Sequence, residues 1–452
     1  MPPRTSKTTA LRVAVLADSD TRWKWGALTA RRLTTGAPDA SRAAERPVEI
    51  SGLLLRGRAT PTPRQLAEVG DVGIETGRVR EVTAVEFLDT VRNEGYDLVV
   101  LALVGGAVQA MLHGLAALRQ DVRPVVVTGY VGVVYEKLAD GLLLRHGADV
   151  VLANSRHDAE RFRAVYEGVG ADASAVTEAA LPFLGGAPHR PQEGRDTVVF
   201  AAQPSVPASR ADRTYLLRRL VEHARLHPDR EVLLKLRSKP GEHTTHIEEL
   251  PYQRLAEKLP GGLPPNFSLV YGHMGEVLDR TDLLVTVSST AALESLHRRI
   301  PTAILTDLGV RETLGNHHFI GSGLLTSWDR LDGGSHPEPD EKWLAGQGVA
   351  ADGTYDTAYD TARARVGALL AEDRLPALTP YYTPATAPGY LPGILARHHL
   401  APDGHPLPGA AAPRETGGVR GAVRDAVREA ARGAYRQGVQ RVAPVIRRMG
   451  EL

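Results

Sequence analysis

Ser288, Ser289 and Thr290 stand directly after an apolar run, Leu283 to Val287, and directly before Ala291, Ala292, Leu293 and Leu296. The run is short, continuous and valine-bearing, the pattern of a parallel strand covered on both faces. The residues from Ala291 on have helical spacing, and small hydroxyl side chains are favoured where a helix starts. Such a corner aims backbone N–H groups, hydroxyls and the positive end of a helix dipole at one place, which suits a phosphate. The plainer reading is that the serines only cap the helix. Glu294 stands four residues after Thr290. Its carboxylate accepts hydrogen bonds and donates none, which suits a pair of ribose hydroxyls. Its plainer role is an ion pair with Arg298, one turn further on.

Lys235 and Lys239 lie at the end of another apolar run, Glu231 to Leu236. The chain is rich in arginine and has seven lysines, two of them here. A lysine is a compact point charge for phosphate, although a solvated strand end would look the same. His273 and Met274, in Gly272-His-Met, end a further strand, Phe267 to Tyr271, where their backbone can meet a nucleobase edge or simply turn. His243 and His246 have no carboxylate spaced to complete a metal site with them. Neither a metal nor a cofactor is expected.

These residues need a scaffold that presents strand ends. Apolar runs at Leu11–Ala17, 48–55, 96–103, 123–128 and 148–153 alternate with helical patterns at about 24, 83–92, up to Ala117, 142–146 and 157–165. After a Gly- and Pro-rich stretch the alternation restarts at 197–202, 231–236, 267–271, 283–287 and 301–306. Strand–helix alternation implies α/β architecture, here two doubly wound, Rossmann-like domains facing across a cleft, with ligands beyond the carboxyl ends of the strands. The divisions expected are a first domain at 10–184, a linker at 185–195, a second domain at 196–375, a closing segment at 376–400, a linker at 401–418 and a basic tail at 419–452.

The bulk numbers fit this plan. The chain has 452 residues, 42% hydrophobic and 24% charged, enough for two cores in a soluble globular protein. The formal net charge of +1 gives no global field for nucleic acid. There is no cysteine, so disulfides, thiolate catalysis and cysteine metal sites are excluded. No signal-peptide core or membrane-spanning run is found, and a cytoplasmic location is expected.

The second half resembles the nucleotide-binding half of GT-B glycosyltransferases. The likeness rests on Gly272-His-Met274, Thr281-Asp282, Ser288-Ser-Thr-Ala-Ala-Leu-Glu294 and Arg299-Ile-Pro301, in that order. The Lys235–His246 segment with Ser288-Ser289 is similar to motifs of bacterial sialyl- and polysialyltransferases and capsule polymerases, but the His-Pro dipeptide of those enzymes is missing. By general look the chain, over roughly residues 10–400, resembles an actinobacterial glycosyltransferase group. The resemblance implies a nucleotide-sugar donor with its phosphates on Ser288, Ser289 and Thr290, its ribose on Glu294 and its base on the backbone at Met274. It implies a glycan or lipid-linked acceptor of the cell envelope, held by the first domain.

An inverting transferase needs a base for the acceptor hydroxyl. Asp18 and Asp20, in the loop after the first strand, are the candidates, with helix capping as their plainer role. Asp18-Ser-Asp20 also spells the metal motif of GT-A transferases, though after the first strand it stands too early in the chain for that. Tyr130, Glu136 and His146 come after another strand and are secondary candidates on the acceptor side. A non-hydrolysing nucleotide-sugar epimerase, or a non-catalytic nucleotide-sugar-binding assembly protein, has the same architecture and stays open. In the tail, nine arginines stand against four acids from residue 414 on. With Val419, Val423 and Val427 they form an amphipathic pattern suited to weak peripheral contact with anionic lipid, or a solvated tail.

Overall fold

The apolar runs become strands because each can be covered on both faces. In a computed structural model, which describes residues 10–35, 47–57, 59–70, 72–74, 78–118, 122–133, 137–239, 250–349 and 354–409, they form two sheets. The first sheet contains β1 (Leu11–Ala17), β2 (Val48–Leu55), β3 (Arg80–Val82), β4 (Leu98–Ala102), β5 (Val125–Gly129), β6 (Val150–Ala153) and β7 (Val176–Glu178). The second contains β8 (Thr197–Ala201), β9 (Glu231–Lys235), β10 (Phe267–Val270), β11 (Leu283–Thr286), β12 (Thr302–Leu305) and β13 (Leu325–Thr326). Every pairing is parallel, in the orders β3-β2-β1-β4-β5-β6-β7 and β10-β9-β8-β11-β12-β13. Strand order therefore reverses between β1 and β4 in the first sheet and between β8 and β11 in the second. Those are the switch points where open α/β sheets form ligand crevices.

Register is set at the N-terminal edge by one repeated device. Asp97, Asp149 and Asp282 each stand immediately before a strand. Their carboxylates accept from the backbone N–H groups of Arg12 (2.8 Å), Val126 (2.7 Å) and Thr197 (2.9 Å) on the neighbouring strand. Their own N–H groups donate back to the carbonyls of the same three residues. Each pair closes a strand start that would otherwise leave buried backbone groups unpaired.

The halves are not independent cores. One apolar cluster holds Val100 and Leu152 of the first sheet, Val199 and Leu284 of the second, and Leu181, Leu184, Tyr355 and Tyr359. The chain also crosses back. Tyr355 and Tyr359 hydroxyls donate to Leu181 O (2.8 Å) and Ala180 O (2.7 Å). Helix Asp360–Ala371, which the sequence groups with the second half, packs against helix Asp20–Thr34 of the first. Residues 376–409 then lie along helix Gly105–Ala117, with Leu391 and Leu395 in the first sheet's outer core. No helix among the described residues is long and apolar enough to cross a membrane.

Candidate functional site

Each switch point is bridged by one side chain. At the first, Asp18 leaves the end of β1, and its Oδ2 accepts from the N–H of Val104 after β4 (2.9 Å). Its Oδ1 accepts from Arg22 Nη1 (2.8 Å). At the second, Gln203 leaves the end of β8, and its Oε1 accepts from Ser288 N (3.1 Å) and Ser288 Oγ (3.2 Å) after β11. Ser19 caps helix Asp20–Thr34 and so aims its first residues out of the first sheet toward the second.

There they meet charges from the other half. Arg237, two residues past β9, donates to Asp20 Oδ1 (2.6 Å) and to Thr21 Oγ1. Lys24 Nζ lies 3.3 Å from His273 Nε2 and 4.0 Å from Glu294 Oε2. Lys235 is buried, and its Nζ donates to its neighbour Leu236 O (2.8 Å). Burial pushes its amine down to about 8; Arg237 adds to this, while Glu68, Glu294 and Asp20 oppose it. Glu294 is likewise pushed up from the ordinary carboxylate value by burial, against the pull of Lys24, Arg298 and Lys235. His273 is pushed down by burial and then by Lys24, so its ring is neutral at neutral pH. Glycines of the first half lie close under side chains of the second: a Cβ at Gly132 would stand 2.9 Å from Thr290 Oγ1, and one at Gly70, where φ is +82, 3.5 Å from the His273 ring. Lys24, Lys235, Arg237 and Glu294 thus share one interior between the two switch points.

The expected residues do not all join it. Lys235, Glu294 and His273 do, and Met274 opens the short helix Met274–Leu278 beside them. Ser288 is spent on structure, since its one hydroxyl proton lies between Leu314 O (2.5 Å) and Gln203 Oε1 (3.2 Å). The N–H groups of Ser289, Ala291, Ala292 and Leu293 go to Thr286 Oγ1, Ser289 Oγ, Ser289 O and Thr290 O. The corner's own turn therefore uses the donors that the sequence assigned to phosphate. Thr290 is already helical and its side chain makes no cap bond. Lys239 is exposed and points at the Tyr271 ring, 5.8 Å from its centroid. Glu294 faces Lys24 across the cleft, while Arg298 pairs with Asp279 and Gly275 O. Asp20 is held below the ordinary carboxylate value: burial alone would raise it, and Arg237 and Thr21 outweigh that. A carboxylate so held is a poor base.

On the acceptor side, Tyr130 stacks under Arg145, 3.9 Å from the ring centroid. His146 falls between helix Leu138–Leu143 and β6, at the edge of the sheet opposite the strand ends, edge-on to Tyr166 and Tyr381. Glu136, His243, His246 and the tail 419–452 lie outside the described residues. Lys24, Glu68 and Arg237 were not foreseen. Their part depends on contacts between distant segments, 217 residues apart for Arg237 and Asp20, which local pattern does not carry.

Metal-ligand chemistry exists elsewhere, at His223, His227 and Asp332, whose ligand atoms lie within 4.8 Å of one another. Two guanidinium groups already use it. Arg230 sits 3.0 Å from His223 Nε2, His223 Nδ1 sits 2.6 Å from Asp332 Oδ1, and Arg219 donates to Asp332 Oδ2 (2.9 Å). The group buttresses helix Arg210–Leu226 against helix Trp328–Asp332.

Residues 13–369 match the family described as "Putative glycosyltransferase (DUF6716)". The chain belongs to this family. No curated protein sequence matches it. Among solved structures, the glycosyltransferase is similar to a Staphylococcus aureus MnaA–UDP co-structure, at 11% identity and a TM-score of 0.51 over 81% of this chain and 100% of that one. It is also similar to UDP-GlcNAc 2-epimerase from Neisseria meningitidis bound to UDP-GlcNAc, at 10% identity and a TM-score of 0.48 over 80% and 100%. A third is the glycosyltransferase SnogD from Streptomyces nogalater, at 16% identity and a TM-score of 0.41 over 79% and 95%. At such identities likeness speaks for fold alone. The enzyme has the two-sheet GT-B fold.

Proposed function

We propose that this glycosyltransferase binds a nucleotide-sugar donor against the C-terminal edge of the second sheet and passes the sugar to a hydroxyl acceptor on the first. One observation carries the reading: a buried lysine, Lys235, and a largely buried carboxylate, Glu294, stand together at the second switch point, with Lys24 and Arg237 reaching the same interior. Cations in a dry site stabilise a departing nucleoside diphosphate without a metal in that role. Glu294 is the acceptor for ribose hydroxyls, and its burial makes it costly unless something partners it. His273 and the backbone at Met274 border the same space and serve the base. Thr290 supplies a hydroxyl to the phosphates, with Ser289 beside it. A UDP donor is favoured, since the Staphylococcus aureus MnaA co-structure, of similar fold, holds UDP.

The experiment is a thermal-shift screen with UDP, GDP, CDP and CMP. At a hundredfold excess over its dissociation constant, one nucleotide should add about 2.7 kcal/mol. The shift should vanish in Lys235→Met and in Glu294→Gln. If none of the four stabilises the wild type, the donor site is refuted. Incubation with the matching nucleotide sugar should then release free nucleotide; isomerised nucleotide sugar instead would make the protein an epimerase.

A further inference from the structure

A buried arginine fixes where helix Leu138–Leu143 begins. Arg145 donates from Nε to Gly129 O (3.0 Å), from Nη2 to Leu103 O (3.3 Å) and from Nη1 to Gly141 O (2.7 Å). Gly129 is the last residue of β5, and Leu103 follows the last residue of β4. The first turn of the helix is therefore pinned to the carboxyl ends of two strands, beside the first switch point. A Cβ at Gly141 would collide with the Tyr130 hydroxyl, and Gly132, two residues past Tyr130, lies against Thr290 of the second half. Asp140, in that first turn, stands on the rim of the first sheet that faces the donor half.

The segment past helix Asp360–Ala371 brings tyrosines to this carboxylate. Tyr382 O accepts from Gln109 Nε2 (3.4 Å), one turn into helix Gly105–Ala117. A Cβ at Gly106 would lie 3.8 Å from Ile394 Cγ2, so helix Leu391–Ala396 covers the start of the same helix, and Tyr390 immediately precedes it. Asp140 Oδ1 accepts from Tyr382 Oη (3.1 Å), and Tyr390 Oη lies 3.4 Å and 3.3 Å from Asp140 Oδ1 and Oδ2. The rings stand edge to face, Tyr381 to Tyr382 and Tyr382 to Tyr390, with centroids 5.3 Å apart in each pair. Burial, and then the bond to Asp140, push the Tyr382 phenol up to about 12, so it keeps its proton. Burial and Asp140 likewise push Tyr390 up. Both phenol protons are turned to one carboxylate, and what this group has left to offer is oxygen lone pairs. Among the described residues Tyr390 is the one tyrosine that is exposed, at 43%. A ring that only braced the fold would gain more by burial.

We propose that Asp140, Tyr382 and Tyr390 form a carbohydrate subsite for the acceptor, on the rim beside the first switch point. The inference rests on the transferase reading above and names the class of its acceptor. The face of an aromatic ring is electron-rich, and the C–H face of a pyranose is weakly positive and apolar, so the two stack. The hydroxyls around that sugar donate to the Asp140 carboxylate and to the two phenol oxygens. Aromatic cover with a few converging polar atoms is the usual composition of a small-ligand site. The acceptor therefore has sugar rings of its own, and the hydroxyl that receives the new sugar belongs to a glycan chain whose next residue rests on Tyr390.

The test uses the full chain with isotope-labelled tyrosine rings, titrated by NMR with maltotetraose, cellotetraose and chitotetraose, and with sorbitol as a polyol that has no ring. Tyr382→Phe and Tyr390→Phe assign the two signals. At least one saccharide should shift both, and sorbitol should shift neither. Tyr390→Ala should weaken that saccharide about tenfold, and Tyr390→Phe, which keeps the ring, should weaken it less. If Tyr390 serves the fold alone, Tyr390→Ala will lower the thermal midpoint and leave saccharide affinity as it was. That result overturns the subsite, and so does silence with all three saccharides. Calorimetric binding of UDP on the same samples keeps the two readings apart. Saccharide shifts without UDP binding refute the donor site and leave the subsite standing; UDP binding without saccharide shifts does the reverse.

Discussion

Lys235 is a cation kept out of water, so its charge depends on pH within the working range. Its amine is pushed down to about 8, against 10.5 for a free lysine. The folded protein thus holds this proton less tightly than the unfolded chain does. Folding therefore bears the full cost of the charge below about 8 and is relieved of it as pH rises toward 10.5. Anion binding runs the other way, because only the protonated amine neutralises phosphate. UDP affinity measured by calorimetry should be flat below about pH 8 and fall by up to about tenfold per unit above it. In Lys235→Met the affinity should be weak and the slope gone. A wild-type affinity level from pH 7 to 10 would remove Lys235 from the site. In the sequence this lysine stands out by its strand end and by the scarcity of lysines. Ser288 misled for a physical reason. Hydroxyls and amides at a strand–helix corner suit an anion, but equally they suit the corner's own turn, and Gln203 and Leu314 take Ser288 first.

At the scale of elements, long strands announced themselves through continuous apolar runs. β3, β7 and β13 did not, since two or three residues carry no periodicity. The same sequence repeats one strand-start signal, of which only Thr281-Asp282 entered the motif pattern: Tyr96-Asp97-Leu98, Ala148-Asp149-Val150 and Thr281-Asp282-Leu283. In each the aspartate fastens the backbone of the neighbouring strand in the sheet. Asp149 also accepts from both Nη atoms of Arg123, at 2.7 Å each. Asp149→Ala should leave that guanidinium and the Val126 N–H without their acceptor, at a cost of about 3 kcal/mol. Urea denaturation should show a lower midpoint with an unchanged slope. A midpoint within error of the wild type would mean that water replaces the carboxylate. Asp282 is held below the ordinary carboxylate value: burial opposes this, but Arg195, His189 and the Thr197 N–H prevail. A depressed carboxyl pKa stabilises the fold at pH above 3.8, and that contribution fades as pH falls through the lower folded value. The wild type should therefore lose stability in acid faster than Asp282→Asn, as read from thermal midpoints between pH 6 and 3.

Over the whole molecule the two halves are held together at two places of different chemistry. Behind the cleft, Leu181, Leu184, Tyr355 and Tyr359 pack as core, which is a permanent joint. At the mouth the joint is electrostatic and narrow: Arg237 on Asp20, and Lys24 beside His273 and Glu294. A few ion pairs part at less cost than a packed apolar core, so separation of the halves is expected at the mouth. The sequence showed two sheets and a cleft, but bore no sign of how close the lips stand, because pairs such as Gly132 with Thr290 lie far apart in the chain. A Cβ at Gly132 would meet Thr290 Oγ1 at 2.9 Å, inside ordinary contact, so Gly132→Val must turn the Thr290 side chain or push the lips apart, and its further methyls favour the second. Arg237→Ala removes the ion pair without adding bulk. Both variants should have a larger radius of gyration in small-angle scattering than the wild type at low salt. UDP should restore the closed value in Arg237→Ala, where its phosphates bring Lys24 and Lys235 together again, but not in Gly132→Val, where the wedge stays. Identical scattering from all three proteins would mean that the apolar joint alone fixes the cleft, and the charges at its mouth would then serve ligand binding only.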